Sequence, residues 1–596
     1  MREETILIPR DHGRWLHARL WRPDGEGRWP AILESSPYRA GDLFRPLVDG
    51  QLGWFAQHGY AVLAIDIAGS GNSPGLLHDE YEAQEIGDLV AAIDWASRQD
   101  WCDGGVGLCG LSWAAFAALR AAARRPPALK AMVLGGVSED GWRTDIHYIG
   151  GVPYVAQVDW AGVMLMLNAL PPDPAQFRGD WRAEWRARLA NDTPWLLRWL
   201  AHPARDDTWV AKAAPADGTV PLLLYAGLAD KYAASVLRIA QSWRGPIRTI
   251  LGPWEHTPPD IAARGPRIGM RQETLRWWDA YLKGRDAPRA PRFSLWTGAP
   301  DAQGDLADGA WRGCDALPTR TTTLRGADGW RTLSGAAARP DVLTADLYED
   351  APAPCDLTDA IVASAPATEV MDLAGVPQLR LTARSESNAH LVARLIDIAP
   401  DGTAVRMVTG ATLLEGADVD LALPPVGWRV MPGHRIALAL CADGWPTFWH
   451  PLPDGAVAVR DVSLALPVLE RAHQIAFEPS TASRGAGIEK LKWLTPAAPP
   501  SRAGVLAHDS ASAAHHLTAT GTDYAIASRF EIAEDGAAKS YRAAFERSDW
   551  RIRIETRLEM SSTPDAYHIH WRIEAHEGDT LVHRVDETRK IPRTVV

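Results

Sequence analysis

A chain of 596 residues, 46% hydrophobic and 23% charged, is globular and too long for a single hydrophobic core, so roughly two to four domains are expected. A formal net charge of −12 gives no electrostatic footprint for nucleic acid or for an anionic membrane surface, and neither partner is expected. The opening MREETILIPRDHGRW has no apolar h-region or small-residue cleavage site, and no later stretch has the length of a membrane span, so a cytoplasmic location is expected.

From the N-terminus, short apolar runs ending in turn residues recur: PAILESSPY (30–38), YAVLAIDIAG (60–69), GVGLCGLSW (105–113), LKAMVLGGV (129–137), PLLLYAGLAD (221–230) and IRTILGPWEH (247–256). Helical stretches such as YEAQEIGDLVAAIDWASRQ lie between them, and this alternation predicts a mostly parallel α/β sheet covered on both faces. One break, over 139–213, is helical in pattern and holds Trp142, Trp160, Trp181, Trp185, Trp195, Trp199 and Trp209; it reads as an inserted cap whose tryptophans either line a pocket or form core. From 291 onward period-two strands dominate, as in PRFSLWTG, HRIALALCA and DWRIRIETRLEM, and predict a jelly-roll-like β domain over 291–596. SRGAGIEKLKWLTPAAPPSRAG (483–504) is read as a long loop within that domain rather than a linker to a separate unit. The core then falls into two parts, 1–138 and 214–290, on either side of the cap.

Within the third of these runs, GVGLCGLSWAAFAALRAAA, an apolar strand enters a tight turn at Ser112 and passes directly into a helix. That is the context of a nucleophile elbow, in which a hydroxyl stands beyond the carboxyl end of a strand at a helix N-terminus. Of the pattern G-x-S-x-G the last glycine is replaced by Ala114, still a small residue. A serine needs a base to take its proton and a carboxylate to orient that base, and in α/β hydrolases the acid and then the histidine follow on later strand ends. Asp230 ends one buried run and His256 the next, in that order. Alone, Asp230 reads equally as a helix N-cap and His256 as a loop histidine; together with Ser112 they read as a triad. The backbone N–H of Trp113 supplies one donor for a developing oxyanion, and Tyr38, after an early strand, is either the second donor or a packing residue.

GLSW, SSPYR, DIAGSGNSPG, GLADKY and GPWEHT, in this order, resemble the cocaine-esterase and X-prolyl dipeptidyl-peptidase family of serine hydrolases. WLAHPARDDTW is similar to its cap signature, RWWDAYLKG to its last core helix, and ADLYEDAP with GVPQLRLTARSES and LPPVGWRVMPGHRIAL to its C-terminal β domain. The resemblance covers about residues 5–470 and implies an α/β-hydrolase core with a helical cap insertion and a C-terminal jelly roll. It also implies Ser112, Asp230 and His256 as triad and the Tyr38 hydroxyl as the second oxyanion donor. Two departures stand out. Ala68 replaces an arginine usual in the family, which removes an ion pair behind the active-site loop, and Lys231, Tyr232 and Ala233 follow Asp230 where some amine-binding branches place acids. An anionic site for an amine would then have to come from Glu139, Asp140, Asp145 or Asp159 on the cap side.

Weaker signals are read as structural. Gly69–Gly75 lacks the dinucleotide spacing, and His568, His570 and His576 read as an exposed strand face rather than a metal site. The cysteines Cys102, Cys109, Cys314, Cys355 and Cys441 are odd in number, without a CxxC pair, and read as buried small hydrophobes. The expected function is hydrolysis of small carboxylic esters or amides through an acyl-enzyme on Ser112, without metal or organic cofactor. X-prolyl or aminoacyl peptidase and acyltransferase activity remain alternatives at the same site, and an inert binding protein is a third. The expected partner is a small-molecule substrate, with homo-oligomerisation left open.

Overall fold

The computed structural model of the chain describes residues 1–287, 289–326, 329–333, 351–355, 357, 360–385, 389–451, 456–481, 505–518 and 520–594. The 483–504 stretch and most of ADLYEDAP lie outside these residues.

Ten of the thirteen described strands of the main sheet are β1 (Arg2–Pro9), β2 (Trp15–Arg22), β3 (Trp29–Ser36), β4 (Ala61–Asp66), β5 (Cys102–Leu111), β6 (Leu129–Gly135), β7 (Leu222–Gly227), β8 (Ile247–Gly252), β9 (Phe293–Ala299) and β10 (Asp308–Cys314); the other three, Met371–Gly375, Val426–Val430 and His473–Ile475, come from further along the chain. The spatial order of the ten is β1-β2-β4-β3-β5-β6-β7-β8-β9-β10, and every pairing from β4 to β9 is parallel. Parallel pairing needs crossover helices on the sheet faces, which is why these strands are apolar on both sides and almost wholly buried. The helix Ala83–Ser97 shows the complementary pattern, burying Ile86, Leu89, Ala92, Ile93 and Ala96 along one stripe.

Phe293–Ala299 follows the helix Met270–Tyr281 as a parallel neighbour of β8, so the main sheet continues past residue 290. Phe293 to Gly298 are all buried, as in any central strand. Beyond β10, one five-stranded sheet is built around Val457–Pro467 and Gln378–Ser385 and another around His390–Ile398 and Ala404–Leu413. From Val505 to Pro592 six long strands form a consecutive antiparallel meander. Among the described residues these strands pair only with one another, as a sheet of their own.

The cap carries the helices Ala156–Ala169, Trp181–Asn191, Leu196–Ala201 and Asp207–Lys212. Ala156–Ala169 is apolar nearly all round because it lies between the core and the terminal sheet. Gly162 allows the close approach, since a Cβ there would stand 2.6 Å from Cβ of Lys539. Among the described residues no helix is long and apolar enough to cross a membrane.

Candidate active site

β5 ends at Leu111, and the helix Trp113–Ala123 begins one residue later, leaving Ser112 alone at the corner with φ 59° and ψ −125°. For a residue with a side chain this backbone is strained, and it holds the hydroxyl above the strand end. The turn closes because Gly110 has no side chain: a Cβ there would lie 2.4 Å from the Ala114 methyl. Ala114 therefore fills the room that Gly110 leaves, which explains why alanine is accepted where glycine is the usual residue. The Ser112 N–H donates to Gly135 O at 3.1 Å, tying the corner to β6.

Asp230 and His256 stand past the ends of β7 and β8. One carboxylate oxygen of Asp230 accepts from the Tyr232 N–H at 3.0 Å, and the other meets Nδ1 of His256 at 2.9 Å. His256 and Ser112 line the same cavity. Gly136, at φ 46°, makes the arrangement possible, because a Cβ there would fall 2.7 Å from the imidazole and 2.9 Å from the Asp230 carboxylate. Its one signal in the sequence is the Gly-Gly pair after LKAMVL.

The Tyr38 hydroxyl lies close enough to the Ser112 side chain to interact with it, and burial pushes its pKa well above the ordinary tyrosine value. Its ring rests against Phe44 and Trp160. Trp113 is fully buried, its indole N–H donating to Glu85 at 2.7 Å, and burial raises the Glu85 carboxyl to about 8. As the first residue of its helix Trp113 has no intrahelical acceptor for its backbone N–H.

These groups open into one cavity of about 790 Å³. Its walls come from the core (Glu34, Cys109, Tyr225), the cap (Asp145, Asp159, Trp160) and the terminal sheet (Phe530, Lys539, Tyr541). Of the seven cap tryptophans only Trp160 lines it, while Trp185, Trp195, Trp199 and Trp209 are buried core. Of the four cap-side acids Glu139 and Asp140 lie outside it, paired with Arg238 and Arg205, whereas Asp145 and Asp159 line it. Both are engaged there, Asp159 by Lys539 at 2.7 Å and Asp145 by the Tyr232 hydroxyl at 3.0 Å, with His147 at 3.6 Å. Glu80 also faces the cavity and is held by His147 at 3.0 Å. Behind the site, where Ala68 replaces arginine, a guanidinium still grips the loop from the cap, Arg188 donating to the carbonyls of Gly71 and Ser73. His570 is paired with Asp586 at 2.8 Å on the terminal sheet. Cys102, Cys109, Cys314 and Cys441 are buried.

The sequence matches the model of the X-Pro dipeptidyl-peptidase (S15 family) over residues 12–258 and that of the X-Pro dipeptidyl-peptidase C-terminal non-catalytic domain over 289–484. It is 24% identical over 548 residues to a cocaine esterase of Rhodococcus sp. (strain MB1 Bresler), covering 77% of this chain and 93% of that protein. Its fold is shared with a CocE/NonD family hydrolase of Staphylococcus aureus (TM-score 0.60, 17% identity, 78% of this chain and 94% of the other). It is shared equally with an aminopeptidase of the marine sediment archaeon Thaumarchaeota archaeon (TM-score 0.62, 19% identity, 79% and 96%). With its catalytic and C-terminal regions both matched in order, the chain belongs to the cocaine-esterase and X-prolyl dipeptidyl-peptidase family of serine hydrolases, on an α/β-hydrolase core followed by a β-rich region.

Proposed function

We propose that the protein hydrolyses small carboxylic esters through an acyl-enzyme on Ser112. The observation that carries this reading is the convergence on one cavity of Ser112, Tyr38 and a histidine whose Nδ1 is held by Asp230. In this reading His256 Nε2 takes the Ser112 proton as the oxygen attacks the ester carbonyl, and Asp230 fixes the tautomer and balances the imidazolium. The Trp113 N–H and the Tyr38 O–H receive the oxyanion, and burial of Tyr38 favours its neutral, donating form. His256 then returns the proton to the leaving alcohol, and a water activated by the same imidazole releases the acid. No step calls on a metal or an organic cofactor.

Amides fit the same chemistry, but recognition of a free amino group needs an available carboxylate. Glu80, Asp145 and Asp159 each hold a protein partner already, so none of these three is set aside for the amine of an aminoacyl or X-prolyl substrate, which favours esters. The test is a panel of p-nitrophenyl esters set against aminoacyl and X-prolyl anilides, with Ser112→Ala as control. Ester turnover should exceed anilide turnover and fall at least about 10³-fold in the folded variant. Turnover near wild type in that variant would remove Ser112 from the chemistry, and anilides turned over faster than esters would favour the peptidase reading.

A further inference from the structure

Register across the core strands brings two unused polar groups to the same cavity. Leu33 pairs with Leu108 and Cys109 with Val133, so Glu34, Cys109 and Val133 form one row on the face of the sheet that the cavity reaches. One row further on, Gly135 pairs with Tyr225, and the Tyr225 ring folds over it: a Cβ on Gly135 would lie 2.2 Å from the ring and 2.5 Å from the phenolic oxygen. The glycine thus turns the Tyr225 side chain back over the sheet, toward β5 and into the cavity wall. Tyr225 is 8% exposed, yet among the described residues neither its hydroxyl nor the Glu34 carboxyl makes a hydrogen bond. With nothing paired to it, burial alone lifts the Glu34 carboxyl to about 7. Another acid on the cavity wall, Asp260, is held by Arg271 through its backbone N–H at 3.4 Å and its guanidinium at 3.8 Å.

Buried polar groups in folded proteins are almost always satisfied by protein or water. A carboxyl and a phenol left open in a catalytic cavity are satisfied by solvent in the free enzyme, and a substrate that displaces this solvent loses affinity unless it replaces the hydrogen bonds. We propose that Glu34 and Tyr225 form a specificity subsite for esters carrying a hydrogen-bond donor, a hydroxyl or an ammonium, on the part of the substrate beyond the reacting carbonyl. The proposal rests on the esterase reading. Glu34 is the acceptor and Tyr225 orients the donor, while purely aliphatic substrates leave both groups buried without partners.

The experiment compares esters of matched length whose chain ends in methyl, hydroxyl or ammonium, with the variable end on the acyl side in one series and on the alcohol side in another. The quantity read is the ratio of kcat/KM for each donor-bearing ester to its methyl counterpart, measured within one variant of the full chain. In wild type the ratio should reach roughly 10 to 100 at one chain length in one series, the range for a hydrogen bond to an ionisable group. Glu34→Leu should bring it to about one, and Tyr225→Phe should lower it several-fold. Glu34→Gln separates the two donors, because the amide oxygen still accepts from a hydroxyl but offers no charge to an ammonium. Methyl-terminated esters hydrolysed as well as or better than donor-bearing ones in wild type, at every length in both series, would overturn the subsite whether or not the variants fold. An undiminished ratio in folded Glu34→Leu would do the same. Turnover of the methyl esters, and its loss in Ser112→Ala, reads the esterase proposal separately.

Discussion

At Ser112 the chain accepts a backbone conformation that costs about 1–3 kcal/mol, and the residues around it have no slack. Gly110, Gly135 and Gly136 each stand where a methyl group would meet Ala114, Tyr225 or the Asp230–His256 pair at well under contact distance. The order serine, aspartate, histidine was visible in the sequence because each residue ends an apolar run, and strand ends are where an α/β sheet gathers side chains. Gly136 and Glu34 were not visible, since their importance lies in what they approach across the sheet and not in their neighbours along the chain. Tyr38 lies between these cases: the residues alone do not separate donor from packing, and the structure adds its place beside Ser112 on the cavity wall. Tyr38→Phe keeps the ring contacts with Phe44 and Trp160 but removes a donor, so ester turnover should fall about 10²- to 10³-fold with little change in Tm. Turnover within about threefold of wild type together with a lower Tm would make Tyr38 a packing residue.

Among the elements, the six central core strands were legible because parallel pairing demands long apolar runs. The β1–β2 hairpin was missed, its strand letters interrupted by His17, Arg19 and Arg22, of which His17 and Arg19 are nevertheless buried. Arg19 lies over the Trp21 ring and pairs with Glu3, so burial there is made tolerable by partners that local pattern cannot reveal. The terminal sheet shows the reverse case. Its period two was plain, with Trp550, Ile552, Ile554, Leu558 and Met560 all buried, yet nothing in that pattern says which cavity the sheet covers. Phe530 reaches the cavity from it, and Lys539 pins it to the cap helix through Asp159. Phe530→Ala should open the cavity, raising kcat/KM for a branched or aromatic acyl ester relative to acetate by about tenfold, while stability falls by about 3–5 kcal/mol. The ratio of the two esters, measured beside Tm, decides the matter: a uniform loss with no change in preference would reduce the sheet to a scaffold.

Across the whole molecule the two family matches stop at residue 484, whereas the cavity does not: Asp509, Ser528, Phe530, Lys539 and Tyr541 all border it. The proposed reacting groups therefore lie within the family matches, and the last strands of the chain add walls to the cavity they share. This division explains why reaction type was easier to read than substrate, since elbow and triad are local motifs repeated across a family while the cavity is assembled from three distant parts of one chain. Everything proposed here depends on Ser112 being a nucleophile activated by His256 and Asp230. The most direct test is reaction of the full-length protein with a fluorophosphonate, followed by mass-spectrometric mapping of the adduct. The account predicts stoichiometric labelling on Ser112, absent in Ser112→Ala and strongly slowed in His256→Ala. A folded protein that takes up no label, or takes it up at another residue while Ser112 stays unmodified, would contradict it.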